Sequence, residues 1–126
     1  MDKVAIVTGA SGVLGGATAR QLGALGFKVV VNYRGNQDGA EKTATDINRG
    51  SGKAIICKAD VRHFPEVQQM VQLALDNFGR LDVMVCNAGG TLSMITGSGK
   101  EKLLLEYESA EWDLVIETNI KGSFNC

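Results

Sequence analysis

The chain is poor in the residues that mark disulfide-stapled and metal-binding proteins. Its 126 residues include three cysteines, one histidine and one proline. Cys57, Cys86 and Cys126 are odd in number and show no C-x-x-C spacing, so they indicate reduced thiols rather than a disulfide framework. With His63 as the single histidine and no two cysteines close in sequence, we expect no metal site. This pattern predicts a cytoplasmic protein.

Excess charge and long apolar runs are missing as well. Thirteen basic and 14 acidic residues leave a formal charge of −1, which provides no basic surface for nucleic acid or anionic membrane. No apolar run approaches the roughly 18 residues of a membrane span. A strand pattern stands where a signal peptide would need its apolar region. We therefore expect neither a nucleic acid nor a membrane as partner.

Glycine, in contrast, is abundant, with 16 residues, and its spacing near the N-terminus is informative. The run Val4-Ala5-Ile6-Val7 is typical of a short strand buried on both faces. Glycines follow at positions 9, 12 and 15. A helical pattern then carries apolar or small residues at Leu14, Ala17, Leu22 and Leu25. The sequence therefore predicts a strand, a glycine-rich turn and a helix in direct succession.

Such a turn presents backbone N–H groups at a helix N-terminus, where unsatisfied donors and the helix dipole attract a diphosphate. In this interpretation Gly9 makes the tight turn, Gly12 lets the phosphates approach the backbone, and Gly15 lets the helix pack close to its strand. The alternative is an ordinary strand–helix turn that uses glycine only for its positive φ. We predict the dinucleotide-binding turn.

The rest of the chain alternates strands and helices. Further strands are predicted at 28–33, 54–57 and 81–86, and helices at about 38–48, 65–78 and from 110 onward. Pro65 suits the first position of its helix, and Ser109 suits the N-cap of the last one. The last helix carries one apolar face, formed by Trp112, Val115, Ile116 and Ile120. Because such alternation implies right-handed parallel crossovers, we predict an α/β fold with a Rossmann-type, doubly wound parallel sheet of strand order 3-2-1-4.

Four motifs in this order resemble one protein family, the short-chain dehydrogenases/reductases, along the whole chain. The motifs are Thr8-Gly9-Ala10-Ser11-Gly12-Val13-Leu14-Gly15, Asp60-Val61, Asn87-Ala88-Gly89 and Asn119-Ile120-Lys121-Gly122. Each lies at the end of a predicted strand or on the last predicted helix. The resemblance implies an oxidoreductase that transfers hydride between a nicotinamide cofactor and a small carbonyl/alcohol substrate, and it implies a homo-oligomer.

The resemblance also assigns roles to residues. The turn residues Gly9, Ser11, Gly12, Val13, Leu14 and Gly15 would lie at the cofactor diphosphate. Asp60, followed by Val61, would accept from the adenine amino group, and Asn87, Ala88 and Gly89 would form the floor under the adenosine ribose. Asn119 would belong to a catalytic tetrad and hold a proton-relay water. The competing interpretations are a solvated turn for Asp60, a loop glycine for Gly89 and a capped or kinked helix for Asn119.

Two positions depart from the family pattern. Val13 stands where the compact branch of the family has a glycine, so the spacing of Gly9, Gly12 and Gly15 is similar to the extended branch, which includes epimerases. Cys86 stands where another asparagine is common. Because Asn87-Ala88-Gly89 and Asn119 are typical of the compact branch, we favour that branch, with an altered diphosphate turn.

The end of the second strand bears on the choice of cofactor. A carboxylate there would accept both ribose hydroxyls of NAD and repel a 2′-phosphate. The chain has Asn32, Tyr33 and Arg34 instead, and Arg34 can pair with a 2′-phosphate through charge-assisted hydrogen bonds. The alternative is a solvated surface arginine. We therefore predict that these residues bind NADP(H), with NAD(H) as the alternative cofactor.

The catalytic tyrosine and lysine that the resemblance calls for are not found. Four residues after Tyr33 and Tyr107 stand Gln37 and Glu111 rather than lysine, and in the family the triad lies downstream of the position of Asn119. We therefore expect residues 1–126 to form one dinucleotide-binding domain, incomplete at its C-terminus and inactive alone. A nucleotide-binding module without chemistry, such as a sensor, is the alternative. Residues 90–108 form a long connection, for which we expect a lid or substrate-side role.

Overall fold

The structure, a computed structural model, describes residues 2–126. Its sheet contains β1 (Val4–Val7), β2 (Lys28–Tyr33), β3 (Lys53–Lys58) and β4 (Val83–Val85), in the order β3-β2-β1-β4. All three pairings are parallel, and β1 lies against β2 with Val4 opposite Lys28. This confirms the predicted parallel sheet and its strand order. The sequence predicted the bounds of β1 and β2, whereas β3 is longer and β4 shorter than expected.

Helices cover both faces of this sheet. The main ones are α1 (Val13–Ala24), α2 (Gln37–Arg49) and α3 (Phe64–Phe78). Successive strand residues point to opposite faces, so Val29 and Val31 pack with Ala19, Ala40 and Ile47 beneath α1 and α2. Val30 lies in the other core with Met70 of α3. The sheet is therefore doubly wound, as predicted.

The buried face of α1 consists of small residues rather than the apolar ones in the sequence pattern. Gly15, Gly16, Ala19 and Gly23 are buried, whereas Leu14 and Leu25 are 73% and 67% exposed. A Cβ atom at Gly23 would lie 3.1 Å from Cγ1 of Ile47 on α2. The helix, the close packing of Gly15 and the inward position of Leu22 were therefore predicted correctly, whereas Leu14 and Leu25 do not face the core. Close packing of α1 leaves room only for small side chains.

The ends of α3 and β4 are set by local contacts. The helix begins at Phe64, which makes Pro65 its second residue rather than its first, and it ends at Phe78, followed by Gly79 as a C-cap in the left-handed conformation. The carboxylate of Asp82 accepts from the N–H of Val4 at 2.8 Å, just before β4 begins. β4 thus keeps only three residues of the predicted strand 81–86.

The connection 90–108 is not structureless. It contains a five-residue helix, α4 (Leu92–Thr96), and a 3₁₀ turn, Leu104–Glu106. The Thr91 side chain accepts from the N–H of Met94, and Leu92 and Ile95 are buried. Five residues are too few to produce a recognisable helical period in a sequence, which explains why α4 was missed.

The last helical stretch runs from α5 (Ser109–Ile116) through a π turn (Glu117–Lys121) into α6 (Gly122–Asn125). Its N-cap is Glu108, whose N–H donates to the Glu111 carboxylate at 3.0 Å. The prediction of Ser109 as N-cap was wrong, because Ser109 is already the first helical residue. No residue of α5 is buried. Among the helices formed by residues 2–126, none combines the length and hydropathy needed to cross a bilayer.

Candidate functional site

A cleft opens at the carboxyl ends of the strands, where ligands bind in folds of this kind. Its volume is about 420 Å³, within the usual range of small-molecule sites. Eight residues predicted from the sequence line it, namely Gly9, Ser11, Asn32, Arg34, Asp60, Val61, Ala88 and Gly89. The lining also includes Gly35, Asn36, Ala59, Met94, Ile95, Thr96, Gly97 and Thr118.

The glycine turn after β1 is shaped by a positive φ and by close packing. Gly9 has a φ of 62°, and a Cβ atom there would lie 2.9 Å from Cα of Ala88. At Gly15 a Cβ atom would overlap the Gly9 carbonyl oxygen and lie 3.0 Å from Cα of Ala10. Both positions therefore require glycine for reasons of space. Gly12 is the N-cap of α1 and supplies no side-chain cap, so the first N–H groups of α1 remain available to a ligand.

The departure at Val13 has a simple structural consequence. The Val13 side chain is 94% exposed, and it does not line the cleft. Leu14 beside it is also exposed. Valine in place of glycine therefore creates no clash within the described part of the chain.

Thr8 joins the glycine turn to the loop after β4, and the sequence motifs gave it no role. Its hydroxyl accepts from the N–H groups of Asn87 and Ala88 at 2.9 and 3.0 Å and donates to the Val85 carbonyl. The Asn87 amide donates in turn to the carbonyls of Thr8 and Gly9, at 3.0 and 3.3 Å. Asn87 thus braces the turn from below and does not line the cleft.

The Asn32 side chain, at the end of β2, also holds the glycine turn in place through hydrogen bonds. Its side chain is buried, its Oδ1 accepts from the Gly9 N–H at 3.2 Å, and its Nδ2 donates to the carbonyls of Cys57 and Ala59. The amide is therefore fully used within the chain. Tyr33 beside it is buried in the core under α1 and α2. Of the three residues predicted here for the cofactor, Arg34 alone carries a charge into the cleft.

Asp60 and Arg62 form a bidentate ion pair at the floor of the cleft. Arg62 donates from Nε to both carboxylate oxygens at 3.0 Å and from Nη2 at 2.6 Å, and its backbone N–H donates as well. Burial alone would raise the pKa of Asp60. The hydrogen bonds and charge of Arg62 outweigh burial and hold that pKa below its ordinary value. Asp60 is therefore a fixed carboxylate acceptor that faces the cleft.

Arg34 reaches across the mouth of the cleft. Its Nη2 donates to the backbone carbonyl of Ile95 at 2.6 Å, although the two residues are 61 positions apart. The connection 90–108 therefore meets the cleft on the side of Arg34, through Met94, Ile95, Thr96 and Gly97. These lining residues escaped sequence analysis because nothing in the pattern of a short helix indicates its position relative to the sheet.

Asn119 lies beside the cleft, at the π turn of the last helical stretch. Its Oδ1 accepts from the Gly90 N–H at 2.8 Å, and its Nδ2 donates to the carbonyls of Gly90 and Val115 at 2.9 Å. A Cβ atom at Gly89 would overlap Asn119 Oδ1. The side chain thus fastens the loop after β4 to the helix. Single π turns are frequent at functional sites.

The chain is similar to known proteins in sequence and in fold. The family described as short chain dehydrogenase matches residues 3–126. The 3-oxoacyl-[acyl-carrier-protein] reductase FabG of Staphylococcus epidermidis is 40% identical over 126 residues, which are 100% of this chain and 48% of that protein. The 3-oxoacyl-[acyl-carrier-protein] reductase of Synechocystis is 41% identical over 124 residues, or 98% of this chain and 47% of the relative. The chain thus spans about half the length of the curated relatives it matches.

Solved structures agree with the family match. A Serratia marcescens short-chain dehydrogenase/reductase mutant superimposes with a TM-score of 0.85 at 30% identity, covering 98% of this chain and 47% of that one. A short chain dehydrogenase from Mycobacterium avium gives a TM-score of 0.85 at 31% identity, with 98% and 44% covered. Sequence and fold lead to the same conclusion: the chain belongs to the short-chain dehydrogenase/reductase family.

Proposed function

We propose that residues 2–126 form the NADP(H)-binding part of a reductase that moves hydride between the cofactor and a carbonyl/alcohol pair. The observation that carries this proposal is the cleft at the carboxyl end of the sheet. There the glycine turn, the carboxylate of Asp60 and the guanidinium of Arg34 face one space. The cofactor supplies the hydride, while this chain binds and orients its adenosine and diphosphate groups.

The residues present fit such a cofactor. A diphosphate finds the uncapped first turn of α1 and the close approach allowed by Gly9, where backbone N–H groups and the helix dipole favour anions. The carboxylate of Asp60, held ionised by Arg62, is an acceptor for an adenine amino group. Gly89 and Ala88 leave space for a ribose.

The charged residues that line the cleft favour NADP(H), the cofactor that carries a 2′-phosphate. Among the described residues that line the cleft, Arg34 is the one cation, and Asp60 is the one carboxylate. Asp60 follows β3 rather than β2, and the amide of Asn32 is used by backbone groups. The end of β2 therefore offers a phosphate a bidentate guanidinium and offers a free ribose diol no carboxylate.

We propose a positioning role for Asn119. Its amide is occupied by Gly90 and Val115, so it holds the loop after β4 under the cofactor. A part in a proton relay would then depend on the geometry of that loop. The sequence contains no Tyr-x-x-x-Lys. Because a missing proton donor costs about 100- to 10,000-fold in rate, we propose that these residues alone have no turnover.

We extend this proposal to the oligomeric state of the protein and to its location in the cell. Trp112, Ile120 and Phe124 are 48%, 62% and 86% exposed on the last helical stretch. Exposed apolar groups on neighbouring helical turns favour association with another protein surface, which supports a homo-oligomer. The reduced thiols support a cytoplasmic protein.

Calorimetric titration of NADP⁺ and NAD⁺ tests the cofactor. We expect Arg34→Asp to weaken NADP⁺ binding about 10- to 100-fold, because a charge-assisted hydrogen bond contributes roughly 1.5–3 kcal/mol, and to leave NAD⁺ binding as tight or tighter. Arg49→Asp makes the same charge change on the exposed end of α2 and should alter neither. Equal weakening of both cofactors would remove Arg34 from the role.

An activity assay tests whether these residues alone have turnover. NADPH oxidation is followed against aldehydes, ketones and 3-oxoacyl thioesters, with the mass of the purified chain verified. We expect binding without turnover. Turnover that disappears in Asn119→Ala would show that the chain carries its own chemistry and would overturn this part of the proposal.

A further inference from the structure

A hydrogen bond between Arg34 and Ile95 joins α4 to the end of β2. The residues of α4 make their other hydrogen bonds within 91–101, in the part of the chain that the structure describes. Among the hydrogen bonds of residues 2–126, the bond from Arg34 Nη2 to the Ile95 carbonyl, at 2.6 Å, is the one that leaves this segment. It spans the mouth of the cleft from the end of β2 to α4.

The Ile95 carbonyl is a well-fixed acceptor. The hydroxyls of Thr91 and Ser93 contact each other at 3.0 Å, and both donate to the Glu101 carboxylate. Leu92 and Ile95 bury their side chains. The acceptor is therefore held by its own segment before any ligand arrives. An arginine tied to it loses its rotamer freedom in advance of binding, which improves affinity for a ligand that needs that rotamer.

The bond leaves most of the guanidinium unused. Arginine has five N–H donors in a planar fork, and one of them serves the Ile95 carbonyl. A phosphate dianion is a stronger acceptor than a neutral carbonyl and can take the remaining donors in parallel. One guanidinium can therefore hold α4 and a 2′-phosphate at the same time, without exchanging one for the other.

We propose that α4 is a specificity element of the adenosine site. The Ile95 carbonyl positions Arg34 for a 2′-phosphate, and a bound 2′-phosphate in turn fastens α4 across the cleft. This inference rests on the proposed function, since it takes the ligand to be a 2′-phosphorylated adenine dinucleotide. It assigns residues 91–101 a role in cofactor choice, on the adenosine side of the cleft rather than as a cover for the substrate.

Hydrogen–deuterium exchange on the 126-residue chain tests the tie itself. Without ligand, Arg34→Ala should speed exchange of the amides in 92–97 about tenfold, since it removes their one charge-assisted bond to the sheet. Arg49→Ala is the matched control and should change nothing there. With saturating NADP⁺, exchange in wild type should slow further, whereas NAD⁺ should leave it unchanged. An unchanged rate in ligand-free Arg34→Ala, or equal protection by both cofactors, would overturn the proposal.

A substitution at a residue that does not line the cleft tests whether α4 acts by positioning Arg34 or by contacting the ligand itself. Ser93→Ala removes the hydroxyl that donates to the Glu101 carboxylate, so it loosens the segment that carries the Ile95 carbonyl and should lower the ratio of NADP⁺ to NAD⁺ affinity about three- to tenfold. Ser51→Ala, an exposed hydroxyl far from the cleft, should leave the ratio unchanged. An unaltered ratio in Ser93→Ala would overturn the positioning role. If wild type fails to bind NADP⁺ at all, the proposed function falls and so does the 2′-phosphate part of this inference, while the ligand-free Arg34→Ala result still decides whether Arg34 holds α4.

Discussion

The β1–β2 core and the segment 91–126 are built on different principles. The four residues of β1 and Val29–Val31 of β2 are fully buried. In the segment 91–126, Leu105 is 99% exposed and Phe124 is 86% exposed. The first region is therefore stabilised mainly by removal of apolar surface from water. The second has far less buried surface to hold it.

In the segment 91–126, hydrogen bonds between side chains and backbone groups replace apolar burial as the stabilising contacts. Asn119 is bonded to both backbone groups of Gly90, Asn125 donates to the carbonyls of Val61 and Arg62, and Arg34 donates to Ile95. Each of these bonds joins the segment to the edge of the cleft. The site is thus assembled from a rigid sheet edge and a lightly packed segment fastened by a few polar contacts. Such segments are the ones that open locally.

The largest effect is expected in the core, at the glycine turn. Gly15→Val places a branched side chain where even a Cβ atom overlaps the Gly9 carbonyl, and α1 cannot withdraw without leaving the sheet. We expect a loss of about 3 kcal/mol or more in the free energy of unfolding, measured in urea. Gly50→Ala, where the nearest atom is 3.5 Å away, should cost less than about 1 kcal/mol. A wild-type midpoint for Gly15→Val would contradict the packing described.

The second-largest effect on stability is expected where Asn119 of the last helical stretch contacts the loop after β4. Asn119→Ala deprives the N–H and carbonyl of Gly90 of their partners, so we expect a loss of about 1–3 kcal/mol and faster amide exchange at Gly90. Asn77→Ala removes an exposed amide with one bond to the Leu73 carbonyl and should change stability by at most about 0.5 kcal/mol. Equal losses in the two variants would show that the Asn119 bonds carry no special weight.

Sequence patterns predicted the first region far better than the second. β1 and β2 are continuous apolar runs between turn signals, and their bounds followed from that alone. On the inner face of α1 the close packing of Gly15 was predicted, whereas Gly16 and Gly23 were missed because glycine carries no hydrophobic signal. The contact of Arg34 with Ile95 was beyond reach, since it joins residues 61 apart through a backbone carbonyl. The hydrophobic periodicity of a sequence indicates which residues are buried. The polar contacts of the segment 91–126 involve no such periodicity, so the sequence pattern did not predict them.

The pH dependence of stability offers a smaller effect at the cleft floor. The folded-state pKa of Asp60 is lowered, and that of an unfolded aspartate is about 3.9. The stabilisation that the Asp60 carboxylate provides is therefore fully present above about pH 4. It is lost as the pH falls through the lower pKa of the folded state. We expect Asp60→Asn to cost about 1 kcal/mol at pH 7, with the difference from wild type shrinking below pH of about 4.

A double-mutant cycle assigns this effect to its cause. In the Arg62→Ala background, Asp60→Asn should lose most of its pH-dependent cost, because the bidentate partner of Asp60 is gone. Denaturant midpoints at several pH values measure each variant. A pH-dependent cost that persists undiminished without Arg62 would mean that another group stabilises the carboxylate.

The smallest effect is expected at the exposed side chain of Leu105, and it tests whether a residue contributes to stability through its burial or through its region of the chain. Leu92 and Leu105 lie in the same connection, yet Leu92 is 4% exposed and Leu105 is 99% exposed. Leu105→Ala removes no buried surface, so urea denaturation should show a change within about 0.5 kcal/mol. Leu92→Ala opens a cavity beneath α4 and should cost about 2 kcal/mol or more. If both substitutions are neutral, α4 contributes nothing to global stability and is held by the bond from Arg34 alone. If both are costly, Leu105 is covered in solution by a surface outside residues 2–126.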